Sequence, residues 1–180
     1  MNSARELLQK YWGWSDFRPG QKDAIDASLS GKNTLIILPT GGGKSLCFQL
    51  TALLQDGICV VVSPLVALMI DQVSALKSKN IRALSIHGSM RENDLVEALD
   101  QCAFGNIKLL YLSPERLRNP IVCERLKTLP ISLLAIDEAH CISHWGHDFR
   151  PAYRQIAQFH SIINKPPVMA LTATATQRVK

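Results

Sequence analysis

The chain has 180 residues, 47% hydrophobic and 19% charged, which suits one domain with a substantial core and excludes general disorder. Its formal net charge of +5 is compatible with a polyanionic partner without requiring one. The most apolar stretch, Ile58–Ile70, is too short to span a bilayer and contains Pro64, so no membrane role is expected and the expected location is cytoplasmic.

Ser3 followed by Glu6 reads as a capping box, and Leu7, Leu8 and Tyr11 give a first short helix its apolar face. Pro19 opens a second helix that Gly31 closes, so residues 1–31 read as a helical N-terminal segment. Strands and helices alternate from there. The strand Leu35–Leu38 runs into Thr40-Gly41-Gly42-Gly43-Lys44-Ser45, and a helix from Lys44 carries Leu46, Leu50, Leu53 and Leu54 on one side. Cys59–Val62 is a buried strand, and Leu65, Leu68, Met69, Val73 and Leu76 recur behind it at helical steps. Ala83–Ile86 is a third strand, after which Ser89 and Glu92 form another capping box for a helix bearing Leu95, Leu99 and Cys102. Ile107–Leu112, Leu133–Ile136 and Val168–Leu171 complete the strands. This alternation predicts one α/β domain over residues 1–180, a parallel β-sheet with helices on both faces and ligands at the carboxyl ends of its strands.

Two strings at such ends carry most of the chemistry. Gly41, Gly42 and Gly43 allow a tight turn whose N–H groups converge on a phosphate chain, with Thr40 at its entry. Lys44 would then meet the terminal phosphates of ATP, and Ser45 would coordinate Mg²⁺ through its hydroxyl. In Asp137-Glu138-Ala139-His140, Asp137 would hold the same ion directly or through water, and Glu138 would orient or deprotonate the attacking water. An ordinary glycine turn and a charged helix start are the competing readings, and the usual fingerprint has Gly where this chain has Leu38. The apolar strand before each string favours the nucleotide site. No G-x-G-x-x-G occurs, which excludes the dinucleotide fingerprint.

Other residues admit two readings. Trp14, Arg18 and Gln21 can sandwich adenine and bond its edge, or Pro19 can start a helix stapled by Trp14 and Phe17. Ser63 and Ser113 suit phosphate oxygens of a nucleic-acid strand, yet Ser-Pro strings also open helices. Trp145, Phe149 and Tyr153 lie with Arg150 in a polar, turn-rich loop where exposed rings can stack on unpaired bases. His140 is a core imidazole or a hydrogen-bonded link from Glu138 to Thr172 or Thr174. Cys47, Cys59, Cys102, Cys123 and Cys141 are odd in number with no C-x-x-C, so they read as reduced core thiols without zinc. Lys77, Lys79 and Arg82 read as solvated surface.

Over nearly its whole length the chain resembles the first RecA-like domain, a P-loop NTPase fold, of the RecQ family of superfamily 2 DNA helicases. Phe17–Gln21 resembles the family's nucleotide-reading motif 0, and Pro39–Ser45 resembles motif I. Ser63-Pro64-Leu65 with Asp71-Gln72 is similar to motif Ia, Leu112–Arg116 to motif Ib, Asp137–His140 to motif II and Leu171–Ala175 to motif III. Cys141 through Tyr153 resembles the aromatic-rich loop that marks the family, with His144 where Gln is usual, and Trp14 stands where Tyr is commoner. The resemblance implies adenine recognition by Trp14, Arg18 and Gln21, and ATP and Mg²⁺ as cofactors. It also implies single-stranded DNA sensing by Trp145, Phe149 and Arg150, and coupling through His140, Thr172 and Thr174. The implied parent translocates 3′ to 5′ on single-stranded DNA and unwinds duplex DNA, with nucleoid association if it is bacterial. Its second RecA-like lobe would supply arginines across the ATP cleft and is absent from this chain, which is then expected to bind nucleotide without unwinding. The alternatives are a non-catalytic nucleotide-gated module that binds DNA or protein, and an RNA-directed member of the superfamily.

Overall fold

Six short strands, each rich in Leu, Ile and Val, form the centre of the computed structural model, which describes residues 3–142 and 151–174. They are β1 (Thr34–Ile37), β2 (Ile58–Val62), β3 (Ala83–Ile86), β4 (Leu109–Leu112), β5 (Ile131–Ile136) and β6 (Val168–Thr172). All pair in parallel in the order β1-β6-β5-β2-β4-β3. Parallel neighbours need crossovers, and helices supply them. They are α1 (Ala4–Trp12), α2 (Gln21–Leu29), α3 (Lys44–Leu54), α4 (Val66–Ser78), α5 (Glu92–Phe104), α6 (Pro120–Lys127) and α7 (Ile156–Ile162).

Strand periodicity divides the core in two. Cys59, Val61, Leu109, Tyr111, Leu133, Ala135, Met169 and Leu171 face a cluster with Leu8, Ile25, Leu46, Leu50, Met69 and Leu76 from α1 to α4. Their neighbours Val60, Val62, Leu110, Leu112, Leu134 and Ile136 face Leu95, Leu99, Val122, Leu126, Ile156 and Phe159 from α5 to α7. Helix α3 is buried from Leu46 to Ala52, because the sheet lies under it and α1 and α2 pack outside it.

The six strands and the first five helices lie where the sequence puts them, with shifts of one or two residues at most ends. The Ser3–Glu6 box forms, each side chain accepting from the other's N–H at 3.2 and 2.8 Å. Two expectations need correction, and two features are new. Helix α2 begins at Gln21 behind a left-handed Gly20, so Pro19 precedes the helix rather than opening it. The Ser89–Glu92 box does not form: Arg91 is the N-cap residue of α5, and the Ser89 hydroxyl lies 2.8 Å from His87 Nδ1. Strand β1 is an edge strand that buries only Ile36, leaving Leu35 and Ile37 about 40% exposed (42% and 40%). Helices α6 and α7 are additional to the sequence reading.

Candidate functional site

The glycine loop is built by its backbone. Gly41 and Gly43 have φ of 77° and 78°, left-handed values that favour glycine, and Gly43 is the N-cap residue of α3. A Cβ on Gly42 would meet the Pro39 carbonyl at 2.8 Å, and one on Gly43 would overlap the Gln21 amide. This leaves α3's first N–H groups at the loop, where the helix dipole favours an anion. Thr40 is exposed beside them. Lys44 is folded back over the loop, its Nζ donating to the carbonyls of Leu38 (3.0 Å) and Pro39 (3.3 Å).

The N-terminal segment is tied to this loop. Gln21 is buried: its Oε1 accepts from Arg18 N–H at 2.9 Å, and its Nε2 donates to the Gly42 and Gly43 carbonyls at 3.3 and 3.2 Å. Arg18 also bonds the Gly41 carbonyl and lies 5.8 Å from the centroid of the exposed Trp14 ring. The three residues therefore lie together beside the glycine loop. Gln21 acts there as a bolt between α2 and the loop, a role the sequence reading lacks, with one carbonyl lone pair left over.

At the end of β5, Asp137 is only 7% exposed and its N–H donates to the Val62 carbonyl at 2.9 Å. Burial pushes its carboxyl up to about 6, helped by the Glu138 charge; the Glu138 N–H, the Lys44 ammonium and the nearby Ser63 hydroxyl pull it back. Only β6 separates β1 from β5, so the glycine loop and the acidic string leave the same edge of the sheet. Glu138 itself has a φ of 49° and its N–H donates to Asp137 Oδ1 at 3.0 Å.

His140 bridges outward from this point. Its Nδ1 lies 3.2 Å from Glu138 Oε2 and 3.1 Å from Thr172 Oγ1. The Thr172 hydroxyl donates to the Thr174 carbonyl at 2.7 Å, so its hydrogen is committed and the oxygen accepts. A carboxylate also only accepts, so Nδ1 of His140 must carry the proton. The link between Glu138, His140, Thr172 and Thr174 is thus continuous in space.

Tyr153 needs a correction. Its ring is buried and its hydroxyl donates to the Asp137 carbonyl at 2.9 Å, so it anchors the short 3₁₀ turn Pro151–Gln155 rather than offering a stacking surface. Trp145, Phe149 and Arg150, with His144, lie outside the described residues. Ser63 and Ser113 end β2 and β4, with their N–H groups on the Leu112 and Ile86 carbonyls at 3.1 and 3.0 Å. Both are buried and neither hydroxyl caps a helix; Ser113 is nonetheless the N-cap residue of the 3₁₀ turn Pro114–Arg118, so Ser113-Pro114 opens a helix as expected, whereas α4 starts behind Leu65 rather than Ser63.

Among the described residues no group of three or more His, Cys, Asp or Glu gathers to hold a metal. Mg²⁺ does not require one, since it takes one or two protein oxygens and completes its shell with water and phosphates. The hydroxyl of Ser45, on the first turn of α3, and the buried carboxylate of Asp137 are donors of that kind. None of the five cysteines forms a disulfide, and burial pushes the Cys47 thiol up to about 12.

The DEAD/DEAH box helicase family profile matches residues 18–180. The chain is 48% identical over 178 residues to a Bacillus subtilis (strain 168) protein described as probable ATP-dependent DNA helicase RecS, covering 98% of this chain and 36% of that protein. It is 46% identical over 181 residues to the ATP-dependent DNA helicase RecQ of the same organism, covering 99% of this chain and 31% of the relative. The chain thus spans about a third of the length of these relatives. Its fold matches the Mycobacterium smegmatis helicase Lhr bound to ssDNA and AMP-PNP, with a TM-score of 0.75 at 22% identity over 98% of this chain and 25% of that one. It also matches a hypothetical ATP-dependent RNA helicase from Sulfolobus tokodaii, with a TM-score of 0.72 at 19% identity over 99% of this chain and 53% of that one.

Proposed function

Because the chain belongs to the DEAD/DEAH box helicase family, we propose that it is the nucleotide-binding lobe of a RecQ-like ATP-dependent DNA helicase. The observation that carries this reading is the sheet order, in which only β6 separates β1 from β5, so that the glycine loop after β1 and the acidic string after β5 leave the same edge of the sheet. DNA is preferred over RNA as the polymer because the relatives at 48% and 46% identity are named DNA helicases.

In this reading residues 1–180 form one RecA-like domain, with residues 1–31 as its adenine-reading segment. Trp14 and Arg18 sandwich the base, and Gln21, fully buried in the free chain, reaches the base edge by turning away from the Gly42 and Gly43 carbonyls. The N–H groups of Thr40, Gly41, Gly43, Lys44 and Ser45 cradle the phosphates, that of Gly42 being held by the Pro39 carbonyl, and Lys44 leaves the Leu38 and Pro39 carbonyls to meet their charge. Ser45 and Asp137 would hold Mg²⁺, which when bound neutralises charge on the phosphates. Glu138 orients the attacking water. His140 keeps the Glu138 carboxylate in place and ties it to Thr172 and Thr174, which would relate nucleotide state to the grip on single-stranded DNA. Ser63, Ser113, Trp145, Phe149 and Arg150 belong to that DNA-facing side. The longer protein would move 3′ to 5′ and separate duplex DNA, using arginines from a second RecA-like lobe at the phosphates.

The test is Mg-ATP binding and hydrolysis by this chain, alone and with single-stranded DNA or RNA, with Lys44→Ala as control. Lys44-dependent binding with turnover at background is expected. Absence of nucleotide binding overturns the reading, and Lys44-dependent turnover stimulated by DNA shows that one lobe suffices. Stronger stimulation by RNA reverses the choice of polymer.

A further inference from the structure

A polar cluster lies inside the otherwise apolar layer between the sheet, α3 and α4. Tyr111, third residue of β4, points by strand periodicity into this layer and is 1% exposed, its ring edge-on to Phe48 at 6.2 Å between centroids. A phenol oxygen that deep must be hydrogen-bonded, since an orphan would cost the full desolvation of the group. It donates to Gln72 Oε1 at 2.8 Å and accepts from Gln49 Nε2 at 3.2 Å. Gln49 Nε2 also donates to Gln72 Oε1, at 3.4 Å.

Two donors from different elements therefore converge on one carbonyl oxygen, and turning the Gln72 amide over by itself would set its NH₂ against the NH₂ of Gln49. In this orientation, Gln72 Nε2 faces Ser45 and donates to its Oγ at 3.5 Å. Burial holds the Tyr111 phenol far above its ordinary range, so it stays protonated and remains a donor. Gln49 is one helical turn beyond Ser45 on α3, and Gln72 lies on α4, so three separate elements meet at one hydroxyl.

We propose that Gln72, oriented by Tyr111 and Gln49, is a positioning residue for Ser45: it occupies one lone pair of the hydroxyl and leaves the other directed at the Mg²⁺ of a bound nucleotide. This rests on the reading of Ser45 as a metal ligand. Outer partners of this kind set the orientation of a ligand and contribute to metal affinity without touching the metal. The assignment gives Gln72 a role toward the nucleotide site, although it lies in the segment that resembles a nucleic-acid motif, and gives Tyr111 a role beyond the core.

The test is equilibrium binding of a fluorescent N-methylanthraniloyl ADP to the 180-residue chain across a Mg²⁺ titration, with thermal unfolding in parallel. Tyr111→Phe keeps the ring against Phe48, and Gln72→Met keeps the length of the side chain; Ser45→Ala is the reference. Both relay variants are expected to bind metal-free nucleotide as the wild type does and to need about tenfold more Mg²⁺ for half-saturation. Gln49→Met, which removes only one of the two donors on Gln72, is expected to shift it less. Variants that melt earlier with an unchanged Mg²⁺ requirement overturn the inference and leave the cluster a purely structural one. A wild type whose binding ignores Mg²⁺ and Ser45→Ala alike overturns the reading of Ser45 itself, and the inference with it.

Discussion

The two ends of the sheet treat polar groups in opposite ways. At the amino end, cations lie on free backbone carbonyls: Arg82 donates to Gly105 at 2.9 Å and Lys108 to Gln55 at 2.7 Å. Asn80, Asn106 and Asn164 take the left-handed turns there, a conformation their short amide side chains tolerate. At the carboxyl end Asp137 is buried with no cation at salt-bridge distance among the described residues. Hydroxyls without partners occur at both ends, Thr34 and Ser132 as well as Ser113, so the buried charge is what distinguishes the two. One end resolves its electrostatics within the chain, and the other keeps a buried carboxylate that, in the proposed function, a bound ligand would complete.

The largest effect that tests this contrast is expected from Lys44→Ala. Its ammonium bonds only exposed or half-buried loop carbonyls in the free chain, so the fold should persist. Affinity for Mg-ATP should fall on the order of 10- to 100-fold by equilibrium binding; undiminished affinity would move the phosphate site elsewhere.

Asp137→Asn sharpens the comparison through pH. The carboxyl is raised in the folded state from 3.8 to about 6, so the folded chain binds more protons than the unfolded one between those values. Stability from this group is therefore highest below pH 3.8, falls as pH rises through that window, and reaches its full deficit above about 6. Near pH 7 the Asn variant should be more stable than the wild type by roughly 2–3 kcal/mol in denaturant unfolding, while Mg²⁺-dependent nucleotide binding is lost. The difference should shrink toward pH 4; a constant difference would refute the buried-charge account.

Gly43→Ala places a side chain at a φ of 78° and against the Gln21 amide. A loss of about 2 kcal/mol is expected by chemical denaturation, whereas Gly88→Ala, with open space around it, should change little. Equal losses at both glycines would deny the loop its tight packing. Smallest is Arg82→Ala at the amino end, expected to cost about 1 kcal/mol or less and to leave nucleotide binding unchanged. A large effect on binding there would break the division between the two ends.

Much of this was legible in residue order, and the misses share a cause. Short apolar runs bounded by Gly, Pro and polar residues marked all six strands; the central ones are buried on both faces and need a nearly continuous apolar run, whereas the edge strand β1 has such a run with only Ile36 buried. Tyr153 was misread because its neighbours are polar, and a side chain's burial depends on what packs over it from elsewhere in the chain. Gln49, Gln72 and Tyr111 carried a weak signal, as polar groups at positions where the surrounding periodicity is apolar. That pattern says that a polar group is buried without saying which partners it finds.

The sequence by itself determined the alternation of strands and helices, the left-handed glycine loop and the acidic string, since these follow from backbone sterics and hydrophobic period over a few neighbouring residues. Only the tertiary structure decided the strand order, which sets the glycine loop and the acidic string on one edge of the sheet, the bolt from Gln21 to the loop and the bridge from His140 to Thr172. Each of those joins groups distant along the chain, and which distant groups meet is settled by how the helices pack the two faces of the sheet.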